Sequence, residues 1–218
     1  MAVKKEVAIH RYVGLSTDTK PTGTTVPIGS TFYEYDTNDT YLTPDNTNWI
    51  IKDSKSVKKF SVTTTVSAAT AYAANDVISN TETASSATPW TFASTAGYNG
   101  GTGKIIQAEL VSETANPSVE AKVYIFSGSP GGALADNAAN TSPVWSDVST
   151  GIYVGRIDFP KMTTRGDALV PESASCLPLY FTTPASADDL YAIITTVTAA
   201  TIATASRELI LSLWVKRS

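Results

Sequence analysis

Short runs in which apolar and polar residues alternate recur from residue 59 to the end of the chain, and turn-forming residues separate them. Alternation at every second residue, with hardly any helical spacing, is typical of antiparallel β-strands that bury one face. In ELILSLWVKR, for example, Leu209, Leu211, Leu213 and Val215 share one face. The pattern predicts an all-β fold, an antiparallel β-sandwich or jelly roll. The runs cover residues 59–72, 76–79, 89–93, 103–113, 119–127, 153–160, 176–183, 190–198 and 208–217.

A smaller module precedes these runs. Residues 17–30 are rich in Thr, Pro and Gly and predict no regular structure, whereas three short aromatic segments with turn residues between them predict a small three-stranded β-meander. A module of about fifty residues without a disulfide has few other residues from which to build a core. We therefore expect Tyr33, Tyr35, Tyr41 and Trp49 to form that core. The segments are TFYEYD (31–36), TYLT (40–43) and NWIIKD (48–53).

The sequence IIKDSKSVKKF, residues 50–60, marks the change between the two patterns, because an aromatic, turn-rich segment ends there in a Lys/Ser stretch. We place a domain boundary near residue 57. Residues 1–57 are then an N-terminal extended segment plus the small β-meander, and residues 58–218 are the β-sandwich domain. Within the sandwich, residues 127–147 are too rich in Gly, Asn and Ala for a core, and they predict a long surface loop that exposes Trp145.

The chain has a formal net charge of −4 and a sequence pI near 5.0, so no general electrostatic field attracts nucleic acid. Its positive residues nevertheless cluster near the start and at the domain boundary. Two interpretations of this cluster stay open, a solvated linker or contact with an acidic partner surface. The residues are Lys4, Lys5, Lys52, Lys55, Lys58 and Lys59.

A single cysteine, Cys176, excludes a disulfide within the chain, and its apolar neighbours in SCLPLYF predict a buried thiol. The first residues, MAVKKEVAIHRYVG, contain no apolar stretch of signal-peptide length, and no segment reaches the ~20 apolar residues of a membrane span. We therefore expect synthesis in a cytoplasm and no membrane partner.

The residue types that catalysis requires are scarce. The chain has one histidine, His10, so we expect neither a Ser-His-acid triad nor a His/Cys metal site. The stretch GSP (128–130) is expected to be a turn, because a proline after the serine removes a backbone donor from any oxyanion hole.

Carboxylates do not predict a site either. Glu34 and Asp36 point the same way from one strand, but they lack the apolar surroundings that raise the pKa of a general acid, so both are expected on the surface. The stretch DTND (36–39) does not begin an EF-hand loop, because Tyr41 and Thr47 stand where Gly and Glu are required. We expect no enzyme activity, no metal and no cofactor.

Two groups of segments resemble known proteins. The segments VGLSTDTKPTG, VPIGSTFYEYDT and TYLTPDNTNWIIKD resemble a short module common in virion proteins of tailed bacteriophages. The later segments AYAANDVIS, WTFASTAGYNGGTGKIIQAELVSE, KVYIFSGSPGG, YVGRIDFP, DDLYAIITT and LILSLWVKR are similar to a family of phage structural proteins encoded near head genes. Asn75 stands where that family's pattern has Gly, and Asn still tolerates a left-handed conformation.

The resemblance implies a virion component, most directly a capsid decoration (auxiliary or cement) protein on the outer head surface, made in the host cytoplasm. Its partners would be the major capsid protein or other virion proteins, and by analogy it would be a homo-oligomer, with a trimer as one form. Residues 1–57 would attach and the sandwich would project. The candidate partner-contact residues are Lys4, Lys5, Arg11, Lys52, Lys55, Lys58, Lys59, Trp145 and Tyr153.

Two other functions stay open. A tail or head fibre or receptor-binding protein would recognise host surface glycans through loop aromatics such as Trp145 and Tyr153. A secreted carbohydrate-binding module would require a signal peptide or an attached catalytic domain, and we expect neither.

Overall fold

The computed structural model describes residues 9–54, 57–66, 71–113, 119–165, 168–170, 174–201 and 207–217. Its regular structure is almost entirely β, with antiparallel sheets and one small mixed sheet, which confirms the predicted fold class. The chain divides into two compact units. The first comprises Met1–Val57 with Lys216–Ser218, and the second comprises Lys58–Val215.

A four-stranded sheet is the framework of the first unit. Its strands in spatial order are β1 (Arg11–Gly14), β2 (Thr31–Glu34), β3 (Asp39–Leu42) and β4 (Ile50–Ser54). Strands β2, β3 and β4 form the predicted antiparallel meander, whereas β1 pairs with β2 in parallel. The three-stranded prediction therefore missed one strand. A parallel neighbour requires a long connection, here residues 15–30, and so leaves no hairpin signal in the sequence.

The predicted aromatic core is wrong for two of its four residues. Tyr33 and Tyr35 are exposed, with 37% and 55% of their surface accessible. Side chains alternate between the two faces of a strand, and Phe32 and Glu34 are the residues that β2 buries. Tyr33 therefore lies on the outer face of the sheet, and Tyr35 is exposed in the turn that follows β2.

Trp49 is at the centre of the core that does form. Its ring meets the rings of Phe32 and Tyr12 edge-on, with centroids 6.0 and 6.1 Å away. Its Nε1 donates a hydrogen bond to the carbonyl oxygen of Pro21 at 2.8 Å. Such edge-on aromatic pairs contribute beyond the area they bury. Among the residues of this unit whose burial the structure describes, the buried apolar side chains are Val26, Phe32 and Ile51.

A buried ion pair joins the irregular segment to the sheet. Lys20 Nζ lies 2.5 Å from Glu34 Oε1 and 4.1 Å from the ring centroid of Tyr41, and Thr37 donates a hydrogen bond to Glu34 Oε2 at 2.7 Å. Burial, with the charges of Glu34 and Asp39, raises the pKa of Tyr41 to about 12. The prediction of Glu34 as a surface charge is wrong, because Lys20 and Thr37 supply the partners that a buried carboxylate requires.

The remaining elements build three sheets and one short helix. In chain order they are β5 (Val57–Val66), β6 (Ala71–Tyr72), β7 (Val77–Ile78), β8 (Trp90–Phe92), β9 (Thr102–Ser112), β10 (Ala121–Phe126), α1 (Trp145–Ser149), β11 (Tyr153–Phe159), β12 (Thr163–Arg165), β13 (Ala168–Val170), β14 (Leu179–Thr182), β15 (Leu190–Thr196), β16 (Ala200–Thr201) and β17 (Arg207–Arg217). A five-stranded sheet has the order β11-β10-β15-β7, with β8 also paired to β15. A six-stranded sheet has the order β12-β13-β9-β17-β5, with β14 also paired to β9, and β16 pairs with β6.

The two larger sheets share one apolar core. The predicted inward face of β17 is confirmed, since Leu209, Leu211, Leu213 and Val215 are each at most 1% exposed. In β9 the alternation is interrupted, because Ile106 and the residue after it are both exposed before burial resumes. The other principal members of the core are Trp90, Phe92, Ile105, Leu110, Val123, Ile125, Ile157, Phe159, Leu190 and Ile194.

Residues 127–147 pack onto the five-stranded sheet, so the prediction that they contribute nothing to a core is wrong. Leu134 covers a second, smaller apolar cluster formed by Val77, Phe126 and Ile193. These three side chains lie on the side of the sheet that faces away from the main core, as the alternation along β15 requires. We call residues 127–147 the covering segment.

Two buried carboxylates hold the covering segment and the adjoining helix in place. Asp136 accepts hydrogen bonds from the Tyr72 hydroxyl at 2.8 and 2.9 Å, and burial together with this carboxylate raises the pKa of Tyr72. Asp147 in α1 accepts backbone N–H groups from Gly131 at 3.0 Å and Val144 at 3.2 Å. Hydrogen bonds to these two buried carboxylates thus hold the covering segment, rather than contacts of its exposed side chains.

Left-handed residues confirm the predicted turns. Asn38 and Asn46 in the first unit have φ angles of 58°, and Asn75 has a φ angle of 68°. Asparagine adopts this conformation more readily than most residues other than glycine. Asn75 therefore has the left-handed conformation that was expected of an asparagine at this position.

Cys176 is exposed, so the predicted buried thiol is wrong. Its φ angle of 68° places it in a turn rather than within a strand, and its Sγ lies 3.6 Å from Asp158 Oδ2. Within the apolar run SCLPLYF, Ser175 forms an isolated bridge with Asp158 on β11, and β14 begins at Leu179.

Candidate interaction surfaces

The outer face of the first unit's sheet exposes apolar and aromatic side chains. Val13 on β1 lies opposite Tyr33 on β2 in the parallel register, and Val13 is 68% exposed. The Tyr33 hydroxyl donates a hydrogen bond to Asn38 Oδ1 at 2.8 Å, which orients that ring. Tyr35 follows Tyr33 by two residues. We call Val13, Tyr33 and Tyr35 the first-unit face, and exposed aromatic groups of this kind are typical of protein contact sites.

Two of the predicted basic residues lie in the described part of the first unit, and these two are far apart. Arg11 lies on β1 and Lys52 on β4, and both are exposed. These strands are the two edges of the four-stranded sheet, which places them three strand spacings, or about 14 Å, apart. Lys4, Lys5 and Lys55 lie outside the described residues.

Lys58 and Lys59 both lie on β5 in the second unit. Lys59 Nζ is 3.8 Å from Glu109 Oε2 and 4.7 Å from the ring centroid of Trp214. Its ammonium group is therefore already engaged on the surface of its own sheet. Lys58 is half-buried.

Trp145 is the most exposed large apolar residue of the chain's described part, at 81%. It begins helix α1, and Val148, three residues later and 47% exposed, lies on the same side of the helix. Asp147, between them, points inward to the covering segment. The helix therefore presents one aromatic and one aliphatic side chain to solvent.

Tyr124, Tyr153 and Tyr191 are half-buried around Phe126 on the side of the five-stranded sheet that carries the covering segment. The register places Phe126 opposite both Tyr153 and Tyr191, and the rings of Phe126 and Tyr153 are 5.6 Å apart. Burial raises the pKa of Tyr153 and of Tyr191 above the usual value of a phenol. We call the three tyrosines the tyrosine cluster.

A planar ion pair lies beside the tyrosine cluster. Arg156 is opposite Tyr124 in the β10–β11 register. Its Nε lies 2.7 Å from Asp158 Oδ1 and its Nη2 donates to Asp158 Oδ2 at 2.9 Å, and this hydrogen bonding raises the pKa of Arg156. Aromatic rings for stacking and a bidentate polar pair for hydrogen bonding are thus close together.

No catalytic constellation is visible in the ranges that the structure describes. No group of three or more His, Cys, Asp or Glu side chains is placed there to hold a metal ion. The single histidine, His10, has its Nδ1 2.9 Å from the Tyr12 hydroxyl, at the start of β1. The expectation of a non-enzymatic protein stays a prediction.

Comparisons with protein families, with curated proteins and with solved structures found no match. Over the same described ranges, no helix has the length and apolar character needed to cross a bilayer. Function must therefore be inferred from the chain's own surfaces and from its sequence.

Proposed function

We propose that the protein is a non-enzymatic structural component of a bacteriophage particle, a capsid decoration protein on the outer surface of the head. The first-unit face carries this proposal, because it exposes Val13, Tyr33 and Tyr35 on a small unit that has a core of its own. The sequence resemblance to virion modules of tailed phages supports the same function. The proposal requires no cofactor, nucleic acid or membrane.

Attachment would occur through apolar and aromatic contacts more than through charge. Residues 9–54 contain three Lys or Arg and six Asp or Glu, and the exposed cations Arg11 and Lys52 lie at opposite edges of the sheet. Tyrosine is enriched at protein interfaces because it supplies apolar area with a polar tip. Many copies on a symmetric shell turn such small contacts into stable attachment. The partner is then the major capsid protein or another virion protein.

Imaging of purified particles tests the location. We expect cryo-electron microscopy to show this chain in a symmetric array on the outer shell, with the first unit against it. A particle whose shell carries no copy of the chain, or a chain found only at the tail tip, would contradict the decoration function.

Substitution of the first-unit face tests the mode of attachment. The double variant Val13→Ser/Tyr35→Ser removes exposed apolar groups only, so we expect binding to undecorated shells to weaken about tenfold or more while the melting temperature is unchanged. Tyr180→Ser is the matched control, because Tyr180 is 70% exposed on β14 in the second unit. Equal losses for the two variants in a co-sedimentation assay would rule out the first-unit face as the contact.

The tyrosine cluster favours a second candidate function, a fibre or receptor-binding protein for host surface glycans. Sugar rings stack on aromatic faces, and Arg156, which Asp158 orients and whose side chain is 43% exposed, offers further N–H donors to sugar hydroxyls. Trp145 adds an exposed indole on α1.

Cell and glycan binding separate the two candidates. Under the glycan function, Tyr153→Ala should abolish binding of the protein to host cells, whereas Tyr180→Ala should leave it intact. Under the decoration function the wild-type chain binds shells and shows no binding to host glycans.

A further inference from the structure

The six-stranded sheet of the second unit ends at β5, and among the strands the structure describes none pairs with the other edge of β5. Of the side chains that β5 turns inward, Phe60 and Val62 are only half-buried, and burial is complete only at Val66, where the strand ends. Inward residues of the neighbouring strand β17 are at most 1% exposed. The sandwich is therefore open along this edge, where a strand presents backbone N–H and C=O groups to solvent.

A groove of about 470 Å³ follows the open edge. One side consists of Val62–Thr65 on β5, and the other consists of Thr88–Thr91 with Asn80. None of these lining residues carries a charge, so the groove has no feature that would select an ionic ligand. A neutral groove beside an unpaired strand fits an extended polypeptide, which would bond to the backbone of β5 and cover its half-buried side chains.

The sequence of β5 indicates which polypeptide fits. Residues 62–66 read VTTTV in both directions. When two such strands run antiparallel about Thr64, each valine lies opposite a valine and each threonine opposite a threonine. Cross-strand pairs of β-branched residues and of threonines are favourable. Strand β5 ends at Val66, so the pairing about Thr64 spans Val62–Val66, and no charged residue lies within it.

We propose that β5 is a homodimer interface, in which a second copy of this chain pairs its own β5 antiparallel about Thr64. The two six-stranded sheets then become one continuous sheet across a two-fold axis, and each strand covers the open edge of the other copy. This interface goes beyond the proposed attachment to a particle. It can be tested on the purified chain alone, so its failure would leave the decoration function untouched.

A charge-pattern experiment tests both the interface and its register. Thr63 and Thr65 are exposed in the single chain and lie opposite each other in the dimer. Thr63→Lys/Thr65→Lys puts lysines opposite lysines, so we expect the dimer to weaken about tenfold or more. Thr63→Lys/Thr65→Glu alters the same two positions but puts lysine opposite glutamate, so it should dimerise at least as well as the wild type.

The measurement is sedimentation equilibrium of the full chain over a wide concentration range, with circular dichroism to establish that each variant is folded. A wild-type chain that stays monomeric, or that forms only trimers, overturns the proposal. Equal self-association of the two charge variants overturns it as well, because the predicted register requires them to differ.

A disulfide at the two-fold axis is an independent measurement that does not depend on charge. In a Cys176→Ser background, Thr64→Cys should give a covalent dimer under mild oxidation, because directly opposite residues in antiparallel strands lie within disulfide range. Ser61→Cys is the matched control, since its two copies would be about 20 Å apart along the paired strands. Cross-linking of Ser61→Cys as efficient as that of Thr64→Cys would contradict the pairing about Thr64.

Discussion

Lys20 is the residue that connects an irregular segment to a sheet in the first unit. Its ammonium group is sandwiched between the Glu34 carboxylate and the rings of Tyr41 and Phe32, with 19% of the side chain exposed. An ammonium group over an aromatic face gains electrostatic energy that increases as water is excluded. The Thr/Pro/Gly-rich segment around Lys20 is thus held by this charged side chain together with backbone hydrogen bonds, in which the N–H groups of Gly23 and Gly29 donate to the carbonyl oxygens of Asn46 and Thr43, each at 2.8 Å.

Lys20→Met should destabilise the first unit by about 3 kcal/mol, because the Glu34 carboxylate, 3% exposed, would then be buried without its cation. The double variant Lys20→Met/Glu34→Gln should recover part of that loss. Hydrogen exchange of residues 9–54 in increasing denaturant measures both. The matched control is Lys59→Met, which breaks the exposed pair with Glu109 and should cost under about 1 kcal/mol. A double variant no more stable than Lys20→Met would contradict this account of the pair.

The same residues show why the sequence did not reveal which face of β2 is buried. In FYEY, either Phe32 with Glu34 or Tyr33 with Tyr35 can point inward, and composition favours the two tyrosines. A shift of one residue exchanges every side chain between faces. Lys20, whose charge allows the Glu34 carboxylate to be buried, lies in a segment without hydrophobic periodicity. The sequence pattern therefore does not reveal that Glu34 has a cationic partner.

At the scale of elements, two turns of the first unit depend on exposed carboxylates. Asp36 accepts the backbone N–H of Ser16 at 2.9 Å and its hydroxyl at 2.6 Å. Asp45 accepts the backbone N–H groups of Thr47 at 3.0 Å and Asn48 at 2.7 Å. These hydrogen bonds hold the pKa of each carboxyl group below its usual value, the Ser16 hydroxyl contributing most at Asp36 and the Asn48 backbone at Asp45.

A carboxyl group with a lowered pKa in the folded state stabilises that state above its unfolded pKa, about 3.9 for Asp. This stabilisation disappears as the pH falls through the folded value. We therefore expect Asp36→Asn/Asp45→Asn to melt below the wild type near neutral pH, with the difference closing on acidification below about pH 4. Melting curves of both chains across the acidic range measure this. A difference that does not change with pH would show that the charges of these carboxylates do not matter.

The elements that could be predicted are those whose pattern is local. The alternation in β17 and the turns that contain the left-handed residues Asn38 and Asn46 follow from neighbouring residues alone. Strand β1 and the covering segment could not be predicted, because the first pairs in parallel across sixteen intervening residues and the second is fixed by Asp136, buried against Tyr72. Both depend on contacts between distant parts of the chain, which periodicity does not record.

For the molecule as a whole, each unit has its own core, so damage to one should leave the other folded. Trp49→Ala removes the ring that contacts Tyr12 and Phe32 and the donor to Pro21, which should cost about 3 kcal/mol in the first unit. Hydrogen exchange should increase in residues 9–54 and stay unchanged in residues 71–113.

Under the decoration function, the same Trp49→Ala variant should lose attachment to shells together with the fold of the first unit. Loss of sugar binding by Trp49→Ala with the first unit still folded would overturn the assignment of Trp49 to the core. The control is Trp145→Ala, which changes an 81% exposed side chain and should leave the stability of the protein within about 0.5 kcal/mol of the wild type.

The way in which the covering segment is fixed has a practical consequence. Asp136 and Asp147 hold it from beneath by accepting hydrogen bonds from a buried hydroxyl and from backbone N–H groups, so the anchors do not depend on the side chains at its tip. Gly151, just beyond α1, has open space around it. The turn after α1 lies just beyond the covering segment, so a foreign peptide inserted between Ser149 and Gly151 would leave both anchors intact. Under the proposed decoration function, this turn would display the peptide in many copies.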